Sequence, residues 1–253
     1  VTEPVFTGVG VALATLFDAD LAVDVDGTRD HAVRLVEAGV QAVIVNGSTG
    51  EASALDRDER RALIAAVKEA VVVPVVAGTG APSSRQAVAL SLDALSAGAD
   101  ALLVLSPPGA ADPLPYYASV RAALPETRLL GYHYPAVSAP GIAVDDLAGL
   151  PIDGVKDSSG DANRLLATLE AFDRPLYTGS SAVLSLAGPL GCTGAILGLA
   201  NVDPEGCLAA FAGDGAAQRA LAPHHLAMSR QFPAGLKALM AERWGTPEHR
   251  RLP

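Results

Sequence analysis

Ile152-Asp153-Gly154-Val155-Lys156-Asp157-Ser158-Ser159-Gly160-Asp161 is a short apolar run that ends in a lysine, turns through Ser and Gly, and meets an Asp placed to cap a helix. A run of this length, apolar almost throughout and bounded by turn residues, reads as a strand buried on both faces, as in a parallel sheet. The stretch that follows, 161–171, has helical periodicity. One β-strand, one loop and one helix are thus written in about twenty residues, and the chain up to residue 202 repeats that unit.

Strand-like runs are expected at 9–14, 42–45, 74–77, 101–105, 128–132, 152–156, 176–178 and 194–197. Helix-like stretches alternate with them at 28–38, 56–70, 83–97, 113–123, 144–150, 161–171 and 182–190. Asp56 with Glu59 three residues on, and Asp161, supply capping chemistry, and Gly39 and Gly98 stand where a left-handed C-cap is wanted. Eight alternations predict an α/β fold, a closed (β/α)8 TIM barrel. An open doubly wound sheet competes, but Gly8-Val9-Gly10 precedes the first strand, the wrong order for a dinucleotide-binding turn. After residue 202 the strands stop, and 203–211, 216–230 and 234–243 read as helices. The expected organisation is a barrel over 1–202 with C-terminal helices, 203–253, packed on it as one structural unit.

The 253 residues suit such a barrel, and 50% of them are hydrophobic, enough for a large core. The net charge of −10 disfavours nucleic acid and anionic membranes as partners. No apolar run is long enough to span a bilayer, and no signal-peptide pattern stands at the start. Cys192 and Cys207 match no metal motif and read as small buried thiols, which fits a cytoplasmic protein.

In a TIM barrel the chemistry sits where the strands end. Those ends carry Asn46 to Glu51, Gly78-Thr79-Gly80, Ser106-Pro107-Pro108, Tyr132 to Pro135, Lys156 to Gly160, and Thr178 to Ser181. Only three lysines occur. Lys68 and Lys237 fall in helices and are expected to be solvated, whereas Lys156 ends an apolar strand. Desolvation there would lower its pKa and supply the neutral amine that attacks a carbonyl. The alternative is a rim ion pair with Asp157, although strand alternation points those two side chains apart. Tyr132, on the preceding strand, could shuttle protons or simply lid the core. Gly47-Ser48-Thr49-Gly50 could cradle a carboxylate with backbone N–H groups or be an ordinary turn, with Glu51 bracing it from behind. Gly78-Thr79-Gly80 lacks the nearby lysine that a phosphate site would call for.

Taken in order, these segments resemble the dihydrodipicolinate synthase / N-acetylneuraminate lyase family of class I aldolases. Thr15-Leu16-Phe17-Asp18 is similar to its T-P-F-D opening, Gly47 to Glu51 to its G-T/S-T-G-E loop, and Ala77 to Gly80 to its A-G-T-G strand end. Tyr132-His133-Tyr134-Pro135 resembles Y-N-x-P, and Gly154 to Asp161 its lysine segment. Gly194 to Asn201 is similar to its last strand, and Phe232 to Ala238 and Arg251-Leu252-Pro253 to its C-terminal end. The resemblance implies an imine between Lys156 and a 2-keto acid, classically pyruvate. Tyr132 would relay protons with Thr49 as its hydroxyl partner. Ser48, Thr49 and Gly47 would hold the carboxylate, Ile196 would line the site and Glu51 would support it. No metal or cofactor is implied. The partners would be a small 2-keto acid and an aldehyde, in a homo-oligomeric dimer or tetramer.

Departures bear on the second substrate. The family's synthases carry an Arg five positions after the tyrosine, where this chain has Val137, so a bidentate grip on a second carboxylate is lost. The inter-subunit tyrosine has no counterpart at Ser106 to Ala110, where Gly109 stands, and Tyr116 and Tyr117 are not expected to replace it. His133 replaces an Asn, and Y-x-Y-P is closer to the 2-keto-3-deoxy-sugar-acid aldolase branch. A dehydratase or hydratase-aldolase using the same imine, and a degenerate barrel that only binds a keto acid, remain the alternatives.

Overall fold

The computed structural model describes residues 3–253. Eight parallel strands close into a barrel in simple sequential order: β1 (Gly8–Ala12), β2 (Ala42–Val45), β3 (Val75–Gly78), β4 (Ala101–Leu105), β5 (Leu129–His133), β6 (Gly154–Asp157), β7 (Leu176–Thr178) and β8 (Gly194–Leu197), with β8 pairing back to β1. Nearly every strand residue is buried, as the runs of Val, Leu, Ile and Ala require. The alternation splits them into two cores. Ala42, Ile44, Val76, Leu103, Leu130 and Ile196 fill the barrel interior with Phe6, Tyr132 and Tyr177, while Val43, Val75, Leu102, Val104, Val155 and Leu197 face the helices.

Ten helices follow the strands: α1 (Val25–Glu37), α2 (Arg57–Ala70), α3 (Ser84–Ser96), α4 (Leu114–Ala123), α5 (Val144–Leu147), α6 (Ala162–Ala171), α7 (Leu184–Ala187), α8 (Pro204–Phe211), α9 (Gly215–Arg230) and α10 (Ala234–Trp244). Asp56 caps α2 in a reciprocal box with Glu59, and Asp161 caps α6. On α2 the stripe Leu63, Ile64 and Val67 is buried, each side chain contributing roughly 1.5–3 kcal/mol of burial. Gly39 and Gly98 take φ of 100° and 98°, the left-handed exit expected of them.

Two expected helices are shorter than their sequence pattern. The 144–150 stretch forms one turn, α5, ahead of Pro151. The 182–190 stretch forms only α7, because Pro189 has no N–H to continue the ladder; Gly188 before it lets the Phe211 carbonyl approach, where a Cβ would lie 1.8 Å from that oxygen. α8 packs against α7 and β1 and so takes the eighth place in the helical ring, while α9 and α10 continue past it. Among the described residues no helix is long and apolar enough to cross a membrane.

Candidate active site

Lys156 is the third residue of β6. It pairs in register with Tyr132 on β5 and Tyr177 on β7, so the three share one row. Its neighbours Val155 and Asp157 face outward, and Lys156 faces in. Asp157 turns to α6 and binds Arg164 at 2.5 Å, which removes it as a rim partner for the lysine. Among the described residues Lys156 has no carboxylate partner. Its side chain is 4% exposed, and burial alone drops its pKa to about 7. Beside it Tyr177 fills the barrel, its ring 4.7 Å from that of Phe6 and tilted 32° to it, and donates its hydroxyl to the Phe6 carbonyl. Gly179, past the end of β7, leaves the room that the lysine needs: a Cβ there would lie 2.9 Å from Lys156 Cε and closer still to Ser158 Oγ.

The Lys156 amine lies 4.2 Å from the centroid of the Tyr132 ring, on which Tyr134 stacks at 5.8 Å. Burial pushes the phenol up to about 12, against the opposing pull of hydrogen bonds with Ser158 and Ser48. The Ser158–Tyr132 hydroxyl distance is 3.4 Å. Thr49, expected as the hydroxyl partner of Tyr132, instead turns its Oγ1 and methyl toward Gly198 beyond β8. Ser48 and Ser158 take that place, because alternate residues of a tight turn face different walls. Ser158 was visible in the sequence as part of the lysine segment but carried no signal of its own.

Residues 47–51 form a tight turn after β2. Ser48 and Thr49 open a single 3-10 turn that closes with Gly50 N–H on the Gly47 carbonyl and Glu51 N–H on that of Ser48, so their own amides have no acceptor within it. Glu51 is fully buried at φ 54°, a left-handed conformation uncommon for a non-glycine residue. Its Oε2 accepts the backbone N–H groups of Arg251 and Leu252, each at 2.8 Å. Lys237 corrects the expectation of a solvated lysine. It is 1% exposed, donates to the Thr15 carbonyl, and stands 3.8 Å from Glu51 Oε1. Burial lowers its pKa to about 8, with Glu51 resisting the shift. α10 folds this lysine back under β1, and nothing in a local helical pattern signals that. Lys68, by contrast, is partly exposed and pairs with Asp100 at 2.7 Å.

Lys156, Tyr132, Ser48, Thr49 and Ile196 line one cavity of about 390 Å³ at the C-terminal mouth of the barrel. Ser158, Ser159, Ser180, Ser181, Ser229 and His225 line it as well. His225 comes from α9, a helix whose sequence gave no sign of reaching the barrel mouth. A larger apolar hollow of about 810 Å³ shares Ser48, Tyr132 and Phe232 and includes Val137, but Lys156 does not line it. His133 faces outward and accepts the Ile142 N–H at 2.9 Å, so its substitution for Asn is structural. The hydroxyls of Tyr116 and Tyr117 bond the carbonyls of Ala81 and Val104, while Gly109 lies in the loop after β4 with nothing within reach of a Cβ.

The model of the dihydrodipicolinate synthetase family matches residues 5–250. The chain belongs to this family. It is therefore a lyase or aldolase of that group. The relatives include an "Uncharacterized DapA-like lyase" of Halobacterium salinarum, 38% identical over 78% of this chain and 68% of the relative. Another is a "Probable 4-hydroxy-2-oxoglutarate aldolase, mitochondrial" of Emericella nidulans, 34% identical over 81% of this chain and 72% of its own. Among solved structures, the chloride-inhibited dihydrodipicolinate synthase of Acinetobacter baumannii complexed with pyruvate is 27% identical, with TM-score 0.88 over 94% of this chain and 88% of that one.

Proposed function

We propose that this protein is a Schiff-base aldolase that makes or breaks a carbon–carbon bond between pyruvate, or another 2-keto acid, and an aldehyde. The observation that carries the reading is Lys156: a buried amine at the barrel mouth, free of any carboxylate and largely neutral near pH 7. The neutral amine adds to C2 of the keto acid to give a carbinolamine. Tyr132, kept protonated by its burial, donates toward the departing hydroxyl, and water leaves. The iminium draws electrons from C3, a C3 proton is lost, and the resulting enamine carbon attacks the aldehyde carbon while the aldehyde oxygen takes a proton. Water then releases the product and regenerates the amine. The iminium is the electron sink, so this sequence calls for no metal or nucleotide. Ser48 and Thr49 N–H groups hold the carboxylate of the keto acid, Gly47 permits the turn, Ile196 packs beside it, and Glu51 braces the loop.

Family membership and the pyruvate complex of a structural relative support the keto acid. Val137 stands where the family's synthases carry an Arg, and the two guanidiniums that line the same hollow, Arg57 and Arg60, are already turned to Asp93 and the Ala52 carbonyl, so no free bidentate grip on a carboxylated acceptor is offered. We place the reaction in a homo-oligomer in the cytoplasm, with small molecules as its partners. Borohydride reduction in the presence of pyruvate tests the reading: a stable adduct on Lys156 is expected, and an unmodified lysine after saturating treatment would refute it. A dehydratase would share that adduct but release no aldehyde when run on a 2-keto-3-deoxy sugar acid.

A further inference from the structure

Part of the cavity lining has a composition that the proposed chemistry does not use. Besides Ser158 at the Tyr132 hydroxyl, four further serines and His225 line it, and among the described residues Lys156 is the only Lys, Arg, Asp or Glu around this cavity. His225 is not there by chance of rotamer. Its Nδ1 lies 2.9 Å from Ser181 Oγ, in the loop after β7. Gln218, seven residues earlier and so on the same face of α9, donates to the Ser181 carbonyl at 2.8 Å and accepts the Ser185 N–H at 3.0 Å. Three hydrogen bonds thus fix this face of α9 against the loop after β7. The imidazole Nε2 makes no hydrogen bond among the described residues, and burial holds the ring below the ordinary histidine range, in its neutral form at physiological pH.

We propose that His225, held by Ser181, is a specificity-determining residue, and that the acceptor it selects is a neutral hydroxyaldehyde. This deepens, and rests on, the aldolase reading above. Once Lys156 is spent in the imine, this cavity has no positive side chain in its lining, and Arg57 and Arg60 of the adjoining hollow are turned to the Asp93 carboxylate and the Ala52 carbonyl, so a second carboxylate here would be left unpaired at a cost. It offers instead a row of hydroxyls and one imidazole nitrogen, which match the donors and acceptors of a chain bearing hydroxyl groups.

The test compares glyceraldehyde, propanal and succinate semialdehyde as acceptors with pyruvate. The wild-type chain is expected to prefer glyceraldehyde over both. His225→Ala is expected to lower kcat/KM for glyceraldehyde about ten-fold, the size of one lost hydrogen bond, mainly through KM. Propanal turnover should fall by much less than glyceraldehyde turnover, and borohydride should still trap pyruvate on Lys156. His225→Gln, which keeps polar groups at the position, should recover part of the loss. Equal losses for glyceraldehyde and propanal would mean a merely structural role and overturn the proposal. So would a wild-type preference for the carboxylated aldehyde, or no preference at all, neither of which needs a variant that folds. Absence of the pyruvate adduct would refute the aldolase reading itself, whereas a normal adduct with indifferent acceptor choice refutes only the role of His225.

Discussion

The reactivity of a single amine follows from where one strand ends. With a pKa of about 7, roughly half of Lys156 is neutral at pH 7, against well under 1% of a solvated lysine. The rate of pyruvate imine formation is therefore expected to rise on its acid limb through an apparent pKa near 7, and a limb near 10 would show that the amine is solvated. The same shift has a stability consequence of fixed sign. The folded pKa lies below the unfolded one, so between about pH 7 and 10.5 the unfolded chain binds the extra proton, and stability climbs with pH across that window. Lys156→Met removes the buried cation. The variant should melt above wild type by the widest margin below pH 7, with the margin closing toward pH 10; a margin independent of pH would contradict the desolvated lysine. Tyr132→Phe keeps the ring under the amine and removes the proton. It should reduce kcat by about 10²–10⁴-fold, the usual worth of a positioned acid–base group, with the fold unchanged by circular dichroism.

At the scale of elements, the strands were legible and the braces were not. Val43, Leu102 or Leu197 announces a strand because burial on both faces leaves no polar position to interrupt the run. Lys156 and Tyr132 were legible for the same reason, as polar groups at the ends of such runs. The partners of the 47–51 turn come instead from α10 and the tail, about two hundred residues away, and a helical pattern does not record which distant loop a lysine will meet. Ser48 rather than Thr49 stands at the Tyr132 hydroxyl, and sequence order within a turn does not say which way each hydroxyl faces. The brace has measurable consequences. Lys237→Met leaves the Glu51 carboxylate buried without its cation, a loss of about 3–5 kcal/mol for a broken buried pair. Arg251→Ala gives up an ion pair with Glu59, about a quarter exposed on each side and worth about 1 kcal/mol or less, and loosens the tail that caps Glu51. Steady-state kinetics of the Arg251 variant should show a raised KM for pyruvate and a nearly unchanged kcat. The reverse pattern would place Arg251 in the chemical step rather than in loop positioning.

For the molecule as a whole, the question is whether α9 and α10 are an attachment or part of one cooperative unit. Chain order suggests the former, since the βα alternation ends at β8. The contacts argue for the latter. α9 is bonded to the loop after β7 through Gln218 and His225. In α10, the Trp244 indole donates to the Asn201 carbonyl at 2.7 Å, and Asn201 itself holds Ala12 and Ala14 at the end of β1. The tail then returns to Glu51 beside β2. These links reach the ends of β1, β2, β7 and β8, so the helices cannot leave without exposing the turn that would hold the keto acid. The chain's one tryptophan makes this testable, because Trp244 sits on the last helix against Asn201 and α1 and so reports the docking of that helix on the barrel. Thermal unfolding followed by Trp244 fluorescence and by far-ultraviolet circular dichroism should give one coincident transition. Saturating pyruvate should move both curves upward together, by mass action on the folded state. A fluorescence change that precedes the loss of secondary structure, and that pyruvate leaves in place, would instead show that the C-terminal helices melt off a barrel able to stand without them.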